Sequence, residues 1–247
     1  MMRTKDNMIF QYSTINALVA GIYDGNLTIG ELSKYGNLGL GTFNHLDGEM
    51  VVLDGEFYKV KAANDPTVVR VSPDEKISFA SVTNFKPGGA SILLNEPFTL
   101  EGLQKRLDKE LASVNIFYAF RMKGIFKSVK TRCVPIQERP YSRLTTVVEH
   151  QSRYEFKDIE GYLVGFWFPD YMKDINVPGY HFHFLSADKT RGGHLFECRT
   201  ARLEIDAARI LGFRMILPGS KEFKKTNLTV NEEELEIIEK GKKNTYS

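Results

Sequence analysis

Tyr180-His181-Phe182-His183-Phe184-Leu185-Ser186, returning through Arg191-Gly192-Gly193-His194, decides how this chain is read. Three of its five histidines fall inside that stretch. Side chains alternate faces along a strand, so His181 and His183 project to one side, about 7 Å apart, and Phe182 and Phe184 to the other, toward a core. Gly192-Gly193 is turn chemistry. A turn within 186–193 folds the chain back into an antiparallel hairpin and sets His194 beside the first two histidines. Three imidazoles converging from one hairpin leave an open coordination position, which is the layout of a catalytic zinc site and not of a closed structural one. The competing view makes them hydrogen-bonded structural residues among aromatics; a third histidine following a glycine pair weighs against it.

Working outward, the same antiparallel signals recur. Leu38–Phe43, Glu49–Leu53 and Glu56–Lys61 are strand-length runs separated by Leu46-Asp47-Gly48 and Asp54-Gly55, and Asp-Gly is a strong hairpin signal. They predict a meander, with a further strand over 77–85. Downstream, strands are predicted over 115–122, 125–134, 160–168, 180–186, 195–205 and 213–217, punctuated by Pro135, Pro140, Pro169 and Pro178. Helices are few. Ser13-Thr14 caps a short one ending near Gly25, and Thr28-Ile29-Gly30-Glu31 has capping-box spacing before a helix that stops at Gly36. Thr99 caps a helix with Leu100, Leu103, Leu107 and Leu111 on one face, and Glu232–Lys240 is periodic enough for a short terminal helix. Without strict βαβ alternation the class is α/β of the α+β kind: a two-domain arrangement of mixed and antiparallel β-sheets with outer helices. Residues 1–247 form one unit, with a subdomain boundary placed near 115–130.

Composition narrows the partners. Lys and Arg number 33 against 31 Asp and Glu, a net charge of +2 with no long basic run, so no nucleic-acid surface is expected. The apolar stretch 15–23 is too short for a membrane span and lacks a small-residue cleavage site. A cytoplasmic protein acting on a small molecule, with no membrane or nucleic-acid partner, is the expectation. Cys133 and Cys198 sit in strand-like runs and read as free, buried thiols of a reducing compartment.

A metal held by neutral imidazoles needs an anion binder and a proton donor beside it. Arg132 lies in an apolar strand that ends at Pro135; its fork suits a carboxylate, or else it forms an ion pair inside a sheet. Arg139, Arg143, Arg191 and Arg202 have weaker claims. Glu49 and Glu56 each follow a turn and head a strand. Each is either an exposed strand-start carboxylate or, near a metal, a ligand or general acid.

Four segments together carry a family resemblance. They are Gly39-Leu40-Gly41-Thr42-Phe43-Asn44 with Leu46-Asp47-Gly48-Glu49; Asp54-Gly55-Glu56-Phe57-Tyr58; Arg132 through Tyr141; and Pro178-Gly179-Tyr180-His181-Phe182-His183-Phe184 through His194. In this order the chain resembles the acetolactate decarboxylases over most of its length. The resemblance implies zinc bound by His181, His183 and His194, with Glu49 and Arg132 as active-site residues. A C-terminal glutamate would fold back over the metal, with Glu239 favoured here and Glu236 second. It further implies two α/β domains with a large mixed sheet and a homodimer. The reaction implied is zinc-dependent decarboxylation of 2-acetolactate, a 2-hydroxy-3-oxo acid, to acetoin through a metal-stabilised enediolate and stereospecific protonation. Many relatives carry an export signal, and this chain shows none.

Two other readings share some of these features. A cupin-like metal-dependent dioxygenase or isomerase also carries His-x-His on a strand. It requires a Glu shortly after the second His, where this chain has Ala187 and Asp188. A non-catalytic ligand-binding domain with structural histidines predicts no stoichiometric metal.

Overall fold

The structure, a computed structural model, describes residues 8–240, the side chains of Glu232, Glu236, Glu239 and Lys240 excepted. The chain opens with β1 (Met8–Tyr12), α1 (Ile15–Val19), β2 (Leu27–Thr28) and α2 (Ile29–Leu32). A meander follows: β3 (Leu38–Phe43), β4 (Glu49–Leu53), β5 (Glu56–Lys61), β6 (Thr67–Arg70) and β7 (Lys76–Thr83). Thr14 and Thr28 cap the two helices, and Thr28 and Glu31 form a full capping box. α1 is shorter than the sequence suggests. The chain turns away at Gly21, whose φ of +90° is left-handed, before Gly25 is reached.

The second half holds β8 (Ile92–Leu94), α3 (Leu100–Asp108), β9 (Phe117–Cys133), α4 (Leu144–Val147), β10 (Ser152–Phe168), β11 (Gly179–Ser186), β12 (Gly192–Ile210), β13 (Gly212–Ile216), α5 (Lys221–Lys225) and α6 (Glu232–Lys240). Three of these strands outrun the sequence reading. The predicted segments 115–122 and 125–134 are one 17-residue strand, since Gly124 stays in the ladder where the Arg202 carbonyl would touch any Cβ. β10 and β12 extend to 17 and 19 residues because their charged outer faces, which read as loop, are the solvated side of a half-buried sheet.

Two sheets result. One has eight strands in the order β13-β1-β7-β3-β4-β5-β6, with β2 on β7; its β1–β13 pair is parallel, the others antiparallel. The other runs β11-β10-β9-β12-β8, and β11 also pairs with β12, closing four of its strands into a ring. The fold is thus mixed α+β, mostly sheet. The main core lies between the sheets, with Leu40, Val51 and Leu53 from the first meeting Phe120, Phe126, Phe166 and Phe184 from the second. α1, α4 and α6 build a smaller cluster through Ile15, Leu18, Leu144, Leu235 and Ile238. Among the described residues no helix is long and apolar enough to cross a membrane.

Candidate metal centre

The extra β11–β12 pairing assembles the histidines. His183 stands directly opposite His194 in that ladder, and His181 shares the face of His183 two residues earlier. The turn between them is tied by Ser186 and by Asp188, which accepts from the Thr190 hydroxyl at 2.8 Å. Asp188, the carboxylate a cupin reading would use, is therefore engaged in the turn. The three imidazoles offer nitrogens that all lie within 4.8 Å of one another, and all three side chains are buried. His181 Nε2 and His194 Nδ1 are 3.1 Å apart. Two ring nitrogens that close need a proton or a cation between them.

The site is set up for a cation. His183 Nδ1 lies 2.8 Å from the carbonyl oxygen of Met50, which can only accept, so the ring proton is on Nδ1 and the Nε2 lone pair is left for a metal. Burial, assisted by the charge of Arg132, pushes the His181 pKa down to about 3. Burial also holds the His183 pKa well below its ordinary value, with His181 and Arg132 adding to the effect against the Met50 hydrogen bond. Neutral imidazoles are what a metal ion requires. The group can hold one.

β4 supplies the next two groups. Met50 grips His183 through its carbonyl, while Glu49, one residue earlier and on the opposite face, turns toward the second sheet. Glu49 is buried, with Oε2 3.7 Å from His183 Nε2. Its position follows from the turn before it. His45, Leu46 and Gly48 adopt positive φ, and the Thr42 hydroxyl donates to the Gly48 carbonyl at 2.8 Å. Lys59 fastens the same turn through Asp47 at 2.6 Å and also pairs with Glu75. Glu56, the other strand-start carboxylate, sits on the surface 3.4 Å from Arg70.

Arg132, next to last in β9, is opposite His194 on one side and Arg153 on the other. Only 4 % of it is exposed, and its Nε has no hydrogen-bond partner among the described residues. Leaving a buried guanidinium N–H unsatisfied is costly, so the arrangement favours an incoming anion. Arg139, Arg143 and Arg191 are committed to Asp24, Glu234 and Asp65.

One cavity is lined by Glu49, Arg132 and the three histidines together. Its other wall is apolar and includes Leu18, Leu46, Val134, Leu144 and Ile238. Ile238 belongs to α6, which is docked by buried Leu235 and Ile238 and by the Arg143–Glu234 ion pair at 2.7 Å. The Glu239 side chain, and that of Glu236, lie outside the described residues. Sequence reasoning missed the Met50 carbonyl, Thr42 and the apolar wall. Backbone acceptors leave no mark on residue identity, and the wall is contributed by helices far apart in the chain.

A family-wide sequence description, alpha-acetolactate decarboxylase, matches residues 9–230. An alpha-acetolactate decarboxylase of Methylococcus capsulatus is 42 % identical over 232 residues, covering 93 % of this chain and 87 % of that protein. Another, from Methanosarcina mazei, is 40 % identical over 95 % of this chain and 81 % of its own. The crystal structure of the Bacillus subtilis strain 168 alpha-acetolactate decarboxylase is similar with a TM-score of 0.91 at 35 % identity, covering 94 % of this chain and 99 % of that one.

Proposed function

The chain belongs to the alpha-acetolactate decarboxylase family and is a carboxy-lyase, and on that premise we propose that it converts 2-acetolactate to acetoin at a zinc centre held by His181, His183 and His194. The observation that carries the reading is the meeting of three buried imidazoles, a buried guanidinium and a buried carboxyl in one cavity. Zinc held by these three neutral ligands would keep its full charge and, when bound, would supply Lewis-acid stabilisation of the charge that develops on substrate oxygen.

The protein's own groups account for the other requirements. Acetolactate is a β-keto acid. As its C–C bond to the carboxylate breaks, CO2 leaves and the bonding pair passes into the neighbouring ketone, giving an enediolate. Arg132 presents two donors in one plane to the carboxylate and holds the scissile bond perpendicular to the carbonyl plane, where that electron flow is allowed. The apolar wall from α1, α4 and α6 receives the methyl groups and keeps out water that would protonate the enediolate from either face. One proton must then reach carbon. Glu49 is the carboxyl proposed to hold and deliver it, with Glu239, next to the wall residue Ile238, as the second candidate.

Acetoin formation and its enantiomeric purity, measured on Glu49→Gln and Glu239→Gln at matched zinc content, test this assignment. The responsible variant is expected to lose about 100-fold or more in kcat. Wild-type rate and enantiomeric purity in both variants would remove the carboxyl step from the mechanism.

A further inference from the structure

Phe196 is the extra residue of a β-bulge. Leu195 pairs with Thr131 and Glu197 with Lys130, so neighbours on β9 face residues two apart on β12, and Phe196 is left without a ladder partner. A bulge bends its strand and re-aims the side chain it carries. Here the half-buried ring stands at 76° to the His194 ring, with centroids 5.6 Å apart. The guanidinium carbons of Arg132 and Arg153 both lie 5.4 Å from its centre.

Arg132 and Arg153 are direct cross-strand neighbours and share this ring. A carboxylate placed on Arg132 would occupy its planar donors. An aromatic face attracts a guanidinium through its quadrupole and takes up no N–H. The Nε of Arg132 indeed makes no hydrogen bond among the described residues.

We propose that Phe196 is a positioning residue for the reaction: its ring face holds the Arg132 guanidinium in the cavity while leaving the guanidinium's donors open to the substrate carboxylate. The proposal rests on the reading of Arg132 as the carboxylate binder. Substrate binding and orientation then depend on the electron density of a ring that itself contacts no reacting atom.

The test is a fluorination series at position 196. Replacing Phe196 by 4-fluoro- and 3,4,5-trifluorophenylalanine drains charge from the ring face with little change of shape, and Phe196→Tyr and Phe196→Leu complete the set. The expected result is that kcat/KM for acetolactate falls with each fluorination step. The trifluoro and leucine variants should reach about a tenfold loss, 1.4 kcal/mol. Tyrosine should stay within about a factor of two of wild type, because it keeps the ring face. Zinc content and Tm should not change across the series. In an Arg132→Gln background the fluorination effect should vanish, since the two residues act as one unit. A flat series alongside an impaired Arg132→Gln overturns the proposal alone. Wild-type kcat/KM in Arg132→Gln overturns the role of Arg132, and the proposal with it. A loss that tracks zinc content instead of ring charge assigns Phe196 to His194 and also overturns the proposal.

Discussion

His183→Ala is expected to lose most bound zinc and most activity while remaining folded. His183 fills its own coordination position, and neither His181 nor His194 can reach it, each having its own place in the ladder. Metal analysis, turnover and a Tm together check this; full zinc occupancy with full turnover would end the metal assignment. Arg132→Lys keeps the charge but loses the planar two-donor fork, so kcat/KM should fall about tenfold or more, roughly 1.4 kcal/mol. Wild-type kinetics would leave Arg132 a structural cation. At this scale the imidazole cluster is legible in the sequence, because a period of two and a glycine pair are enough to place it. Glu49 and Glu56 look alike in sequence, both heading strands after a tight turn. Only the sheet tells them apart: Glu49 faces the second sheet, and Glu56 lies at a hairpin mouth in solvent.

Among the elements, β11 is held against β10 by contacts that tolerate no side chain at Gly165. A Cβ there would sit 2.0 Å from the His181 carbonyl oxygen and 2.5 Å from the Phe182 ring. Gly165→Ala should therefore push β11 outward, lowering stability by about 2 kcal/mol or more and weakening zinc binding with it. Thermal unfolding and a zinc titration measure the two effects; an unchanged Tm would show that the strands can part without cost. Truncation after Val230 removes α6, including Ile238 of the cavity wall. The expected outcome is retained zinc and at least about a tenfold loss of decarboxylation; Glu239→Gln reproduces much of that loss if Glu239 is the proton donor, and little of it if Glu49 is. Equal acetoin formation by full-length and shortened proteins at equal zinc content would show α6 to be dispensable. The helices α1, α2 and α3 were legible from their threonine caps and the short hairpins from Asp-Gly, whereas α4 and α5 carry no threonine cap and the full lengths of β10 and β12 were not legible. Alternating charge on β10 and β12 imitates loop composition when only one face of a sheet is buried.

For the whole molecule, the pairing of β1 with β13 and the closure of β11 onto β12 join segments by tertiary packing, for which no local pattern exists. The thiols report on that packing. Burial raises the Cys133 thiol well above its usual range and pushes Cys198 up to about 12. At pH 8 about one Cys198 in ten thousand is then thiolate, so native protein should resist alkylation until it unfolds. A thiol pKa raised by folding stabilises fully below the unfolded value near 9 and loses that contribution as pH rises toward 12. Tm should accordingly decline above pH 9, less so in Cys198→Ala. Rapid alkylation of the folded protein at pH 8 would contradict the burial.

The origin of the centre's residues also bears on the order in which it forms. His181 and His194 are 13 residues apart in one hairpin, whereas the bond from His183 to Met50 spans 133. Short loops close early and at small entropic cost, and distant strands meet late. On refolding in the presence of zinc, uptake of the ion should run ahead of the return of acetoin formation, with loaded but silent molecules in between. In the nascent chain β4, which carries Glu49 and Met50, is made well before the metal-bearing hairpin and waits for β11 and β12 to arrive beside it.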